Sequence, residues 1–392
     1  MRHALKLVSV IAAIVLSGCS GGSETPVPLP PPVANVPYQA TLIAGLTTPA
    51  DNHPAVTPDP ELGCADGAAL GAKLNPRSGI SPLDIWVFAQ SANGNLLLAE
   101  EGYCDRRFRI RSIDPVGNTI KTLAVGAPRW DDNQGALTTF LTPTSLAVAP
   151  SGDIYVCDSD VSNGVSIPTP TSRSQPGRGP GIWKLDTHGN ISVLAGVSLP
   201  MPQPGMSAGI GTDGVGTAAS FNRIGMMCHG SDGLLYVNDG YKLRTVSLDG
   251  VVTTAIHPPG VNQQTVVACG IHGSVLVFRA FTDSANNDFY DPIARKSIGK
   301  ASLSMSRGFL LYFGANNSSA LFQLNGADSG LAIVNLVDGS AALVAKFSHA
   351  SMPVDLAATP PVIDKPIAGV ATGGMDFDIL TGQGVIRFTR KP

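Results

Sequence analysis

Three carboxylates end three closely similar stretches of this chain. Glu100 closes Asn93-Gly-Asn-Leu-Leu-Leu-Ala-Glu100, Asp158 closes Ser151-Gly-Asp-Ile-Tyr-Val-Cys-Asp158, and Asp239 closes Asp232-Gly-Leu-Leu-Tyr-Val-Asn-Asp239. Each stretch reads as a tight turn followed by an apolar strand, so the acid recurs with the pattern. Carboxylates brought together on one axis suit a calcium ion, the one cofactor these residues suggest. The alternative is that each acid accepts hydrogen bonds from its own following loop. Arg279 stands near the same position one unit later; it breaks a ring of acids and would instead meet an anion. Glu100, Asp158, Asp239 and Arg279 are therefore the candidate ligand or metal residues.

The elements that must position them are repeats. Phe108 to Ala124, Gly181 to Gly196 and Lys242 to Ile256 are each an alternating strand, a Gly-containing turn and a second alternating strand. Ahead of each acid-ending stretch lies one further strand, at Leu83 to Ala89, Ser145 to Ala149 and Gly225 to Cys228. Short strands recurring in fours predict propeller blades, because one such sheet cannot cover both of its faces and must stack against neighbours around an axis. The units resemble the NHL repeat family. Gly211-Thr-Asp-Gly-Val-Gly-Thr-Ala-Ala-Ser-Phe221 looks like that family's loop into the innermost strand, and Ala65-Asp-Gly-Ala-Ala-Leu-Gly-Ala-Lys-Leu74 stands in the same place in the first blade. The resemblance is clearest over 60–257 and fades beyond it.

An all-β propeller with six four-stranded blades is the expected fold, with five or seven left open because the fourth and fifth blades are indistinct. The last unit offers only three strands, at 366–371, 375–380 and 384–389. Tyr38-Gln-Ala-Thr-Leu-Ile-Ala-Gly45 resembles the fourth strand Ile191 to Gly196 and has no blade of its own. Pairing 38–45 with the C-terminal blade would close the ring.

Cysteines and loops add further candidates. Loops that carry Cys64 and Cys104 emerge on the same face of a propeller, so a disulfide between them is geometrically sensible. Cys228 and Cys269 occupy similar places in the innermost strands of neighbouring blades and either pair or stay as small apolar residues. Cys157 is left over. Cys228, His229, Cys269 and His272 would together offer a tetrahedral zinc set, but adjacent strand residues point to opposite faces, which disfavours it. The insertion from Ser159 to Pro180 carries Arg173 and Arg178 on the face of the acids and is either a binding loop or a plain exposed one. No hydrolase elbow, metalloprotease helix motif or phosphate-cradling loop is present.

The start of the chain gives an address. Arg2 and Lys6 precede the apolar run Leu7 to Leu16, and Leu16-Ser17-Gly18-Cys19 resembles the lipobox of bacterial lipoproteins, in which the Cys is acylated. The expected organisation is a signal peptide at 1–18, a Pro/Gly/Ser-rich tether at 19–37 and the propeller at 38–392. Ser20 fits sorting to an outer membrane, with the protein facing the periplasm or the cell surface. Charged residues make up 14% of the chain and the formal net charge is −3, with no long basic run, which disfavours nucleic acid as a partner. The expected role is a membrane-anchored binding scaffold for a protein, peptide or glycan. The rival is a metal-dependent propeller enzyme, a hydrolase or lyase, with its site at the channel mouth.

Overall fold

Described here as a computed structural model, the chain is placed over residues 34–46, 61–76, 87–127, 139–158, 179–197, 211–255, 265–279, 287–301 and 309–391, short gaps at 36, 223, 241, 271–272, 314–318, 325–328, 350–352, 365 and 383 aside. Its strands form six separate sheets. Blade one is built from Phe88–Gln90, Leu96–Glu101, Phe108–Asp114 and Thr119–Val125, counted outward, with Gly67–Ala68 added on its outer edge. Blade two runs Pro143–Val148, Ile154–Asp158, Gly181–Leu185 and Ile191–Gly196. Blade three runs Ile224–His229, Leu235–Asp239, Lys242–Val246 and Val251–Thr254, again with a short outer addition at Gly214–Val215. Blade four starts at Thr265–Cys269 and blade five at Phe309–Phe313. In blade six Pro366–Gly373, Asp376–Thr381 and Gly384–Arg390 are joined by Tyr38–Gly45 as the outermost strand. The protein is a six-bladed β-propeller closed by its own N-terminal strand.

Burial follows from position in the blade. The second strand Leu96–Glu101 is buried at every residue, because neighbouring blades cover both of its faces. The outermost strand Thr119–Val125 alternates, with one face open to solvent. The turn between the first and second strands recurs with one geometry. Gly94, Gly152 and Gly233 sit at φ +85°, +92° and +83°, where a side chain would be strained. Each donates its N–H to the carbonyl three residues back, at 2.9, 2.9 and 3.0 Å, on Ser91, Ala149 and Gly230.

The closing strand is knitted in over its full length, from Tyr38 opposite Arg390 to Gly45 opposite Gly384. Tyr38 is 3% exposed; its ring centroid lies 5.4 Å from that of Phe377, and its hydroxyl donates to the Met375 carbonyl at 2.9 Å. Phe377 in turn stacks on Phe388 at 5.0 Å. Ala34 and Asn35, expected in the tether, instead pair in parallel with Ala342 and Leu343 of blade five. The sheet edge there has unpaired backbone groups for an arriving chain to satisfy, so the structured part begins earlier than composition suggested.

Candidate functional site

The first strand of a blade begins beside the end of the second, as Pro143 opposite Asp158 and Ile224 opposite Asp239 show. The recurring acids therefore lie where the chain enters each innermost strand. Glu100 is 0% exposed, Asp158 5% and Asp239 2%. Their oxygens are used inside their own blades. Glu100 accepts the Asn75 N–H at 2.6 Å, Asp158 accepts those of Leu141 and Thr142 at 2.9 and 2.6 Å, and Asp239 accepts that of Asn222 at 2.7 Å. The donors belong to the loop entering the blade rather than to the loop following the acid. Strand adjacency explains this: the antiparallel pairing brings the entering loop to the acid's side.

Two of the acids also hold a buried arginine from the third strand. Arg111, 1% exposed, donates to Glu100 at 2.9 Å and lies 3.1 Å from Asp66. Arg244, 0% exposed, donates to Asp239 at 2.9 Å and to Asp213 at 2.8 Å. Asp66 and Asp213 sit in the two entering loops of similar sequence, so each guanidinium clamps a loop to a strand. Partial burial pushes Asp213 up, but the N–H and hydroxyl of Thr254 together with Arg244 hold it below the usual carboxylate range. Blade two has Trp183 in the register of those arginines, beside an acid met by two N–H donors. Sequence reading missed Arg111 and Arg244; their shared offset within the aligned hairpins was the available signal.

This use of the acids corrects their reading as a converging cation site. Among the described residues no group of three or more His, Cys, Asp and Glu side chains is placed to hold a metal ion. Burial pushes the Glu100 carboxyl up from 4.5 to about 6, against the pull of Arg111 and of the Asn75 N–H. Between those values the folded state keeps a proton that the unfolded chain has released. The stabilisation is thus full below pH 4.5 and lost as pH rises through 6, a change of about 2 kcal/mol. Urea midpoints measured across this window should fall with rising pH in the wild type. In Glu100→Gln that part of the slope should vanish.

Cys64 and Cys104 form a disulfide across the loops of blade one, and Cys228 and Cys269 form one between the innermost strands of blades three and four. The second bridge uses the sulfurs a zinc set would need. Cys157 is a buried free thiol, which burial above all pushes upward. Arg279 ends the second strand of blade four as expected, but its side chain, together with Cys19, Arg173, Arg178 and His272, lies outside the described residues.

The opposite mouth of the channel holds a cavity of about 780 Å³. The last residues of innermost strands and the turns after them line it, among them Gln90, Ala149, His229, Cys269 and Ala371. Phe88, Leu146, Val148, Leu311 and Val370 supply apolar walls, and no Asp, Glu, Lys or Arg is among the described residues lining it. His229 is the one titratable side chain there that is not in a disulfide; burial lowers its pKa, against the opposing effect of Asp232. Its Nε2 is buried and has no hydrogen-bond partner.

No family model matches the chain, and no curated protein matches it. Solved structures do. A protein of unknown function from Bacteroides thetaiotaomicron is 13% identical, with a TM-score of 0.51 over 90% of this chain and 76% of that one. An auxiliary nutrient binding protein from the same organism is 10% identical, with a TM-score of 0.49 over 91% of this chain and 78% of that one. A streptogramin B lyase is 12% identical, with a TM-score of 0.43 over 81% and 96%. At such identities the likeness is one of fold.

Proposed function

We propose that the protein is a cell-envelope lipoprotein, anchored to the outer membrane through Cys19, whose NHL-like propeller is a binding scaffold with its ligand site in the axial cavity. The anchor rests on the lipobox-like Leu16-Ser17-Gly18-Cys19 and the Pro/Gly/Ser-rich segment after it. The binding role is carried by one observation, the cavity of about 780 Å³ free of charged side chains among its described lining residues. A concave, largely apolar site of that size with a few polar groups is what small-molecule binding requires. The metal-dependent enzyme draws less support, since the carboxylates that would hold its ion are engaged by backbone N–H groups and arginines.

The full-length protein is expected in the membrane pellet of an envelope preparation. Extracted from it, the protein should brighten the uncharged dye N-phenyl-1-naphthylamine at one site per chain. Ala371→Trp, which places an indole at the cavity wall, should weaken the dye at least tenfold without changing the melting temperature. Protein found only in the soluble fraction would remove the anchor. Dye binding that is absent, or indifferent to Ala371→Trp, would remove the axial site.

A further inference from the structure

We infer that the axial site continues outward between blades one and two, and that its ligand is an uncharged, elongated molecule with an apolar end on the axis and a hydroxyl- or amide-bearing end in the cleft. This rests on the reading of the axial cavity as a ligand site. A second cavity of about 440 Å³ occupies the cleft between the two blades and shares Ser91, Ala92 and Pro150 with the axial one. The hollows therefore meet at the first-to-second-strand turns of those blades, whose internal hydrogen bonds fix the junction.

The linings of the two parts differ. The axial part is walled by Phe88, Leu146, Val148 and Val370. The cleft has an apolar floor of Leu97, Ile154 and Leu185, but its sides carry Asn93, Asn95, Ser112, Ser151 and Thr187. These are neutral donors and acceptors at close spacing. Asn95 Nδ2 donates to Ser112 Oγ at 3.4 Å, and Ser91 Oγ donates to Asn93 Oδ1 at 2.5 Å. Asp186 is the one charged residue among the described residues lining the cleft. Its carboxylate is already occupied by the N–H groups of His188 and Asn190 and by Asn190 Nδ2, at 2.8–2.9 Å.

An ion entering this path would lose water and gain no partner of opposite charge, which is costly. Hydroxyls or amides would exchange water for the Asn, Ser and Thr side chains at little net cost, while the apolar end gains from burial. The lining thus selects against charge at both ends and for polarity at one.

Octyl β-glucoside below its micellar concentration is a suitable probe, titrated calorimetrically into the full chain beside octanol, methyl β-glucoside and octanoate. The glucoside should bind one per chain at least tenfold tighter than either of its halves, and octanoate at least tenfold weaker than the glucoside. Ser112→Trp fills the cleft away from the axis and should abolish that gain while leaving the naphthylamine dye within twofold. Asn93→Trp, on the exposed turn, repeats the test should Ser112→Trp fail to fold. If the dye binds and is blocked by Ala371→Trp, yet the glucoside gains nothing over octanol or ignores both cleft variants, the inference falls and the axial site stands. If the dye does not bind at all, both fall.

Discussion

Tyr38→Ala is expected to lower the free energy of unfolding by about 3–5 kcal/mol, the range for removing a buried aromatic ring. The ring packs against Phe377 and, at 6.3 Å between centroids, against Phe388, two residues of the blade it completes. Its hydroxyl donates to Met375, 337 positions along the chain. One side chain thus ties the two ends of the molecule together. Tyr38→Phe keeps the packing and gives up only that hydrogen bond, so its cost should be about 1–2 kcal/mol. Burial pushes the Tyr38 phenol up to about 12, in keeping with a hydroxyl held at the seam. Urea unfolding of both variants provides the measurement. A loss under about 1 kcal/mol for Tyr38→Ala would mean that the strand is not what holds blade six closed.

Arg244→Met should cost a comparable amount, about 3–5 kcal/mol, because it leaves the buried Asp239 without its cation. The methylene stem also lies near Phe221, with the guanidinium carbon 5.5 Å from the ring centroid, so Met preserves part of the packing and isolates the charge. Arg244→Lys should recover little, since one ammonium cannot reproduce a planar fork bridging Asp239 and Asp213. Adding Asp239→Asn to Arg244→Met should restore at least half of the loss by removing the stranded charge. Chemical denaturation of the three variants decides it; a double variant no more stable than Arg244→Met would contradict the pairing.

The ring closure was legible because Tyr38–Gly45 carries the alternation and the terminal Ala-Gly of an outer strand, with no partners nearby in sequence. The acids were legible as a recurring feature, and local reasoning assigned them to the wrong loop. Their donors at Asn75, Leu141 and Asn222 precede the acids by many residues, and only the antiparallel pairing brings the two together. Arg111 and Arg244 were visible at one offset, yet nothing local shows that a charged side chain on a strand turns inward. Blades four and five resisted because Asn287–Asp291 and Lys296–Ala301 lack the apolar alternation of the other hairpins. The axial cavity was not legible at all. It is made of alanines, glycines and backbone from stretches far apart in sequence, and no residue type announces it.

Because Tyr38–Gly45 leaves the ribosome first and its partner Gly384–Arg390 last, the ring stays open until synthesis is complete. During that interval the arriving blade presents a bare strand edge, and the matching strand of a second molecule fits it as well as its own. Only the high effective concentration conferred by the covalent connection favours the chain's own strand over a neighbour's. Joining first to last gives the finished disc its closure and makes crowding of half-made copies the hazard of assembly.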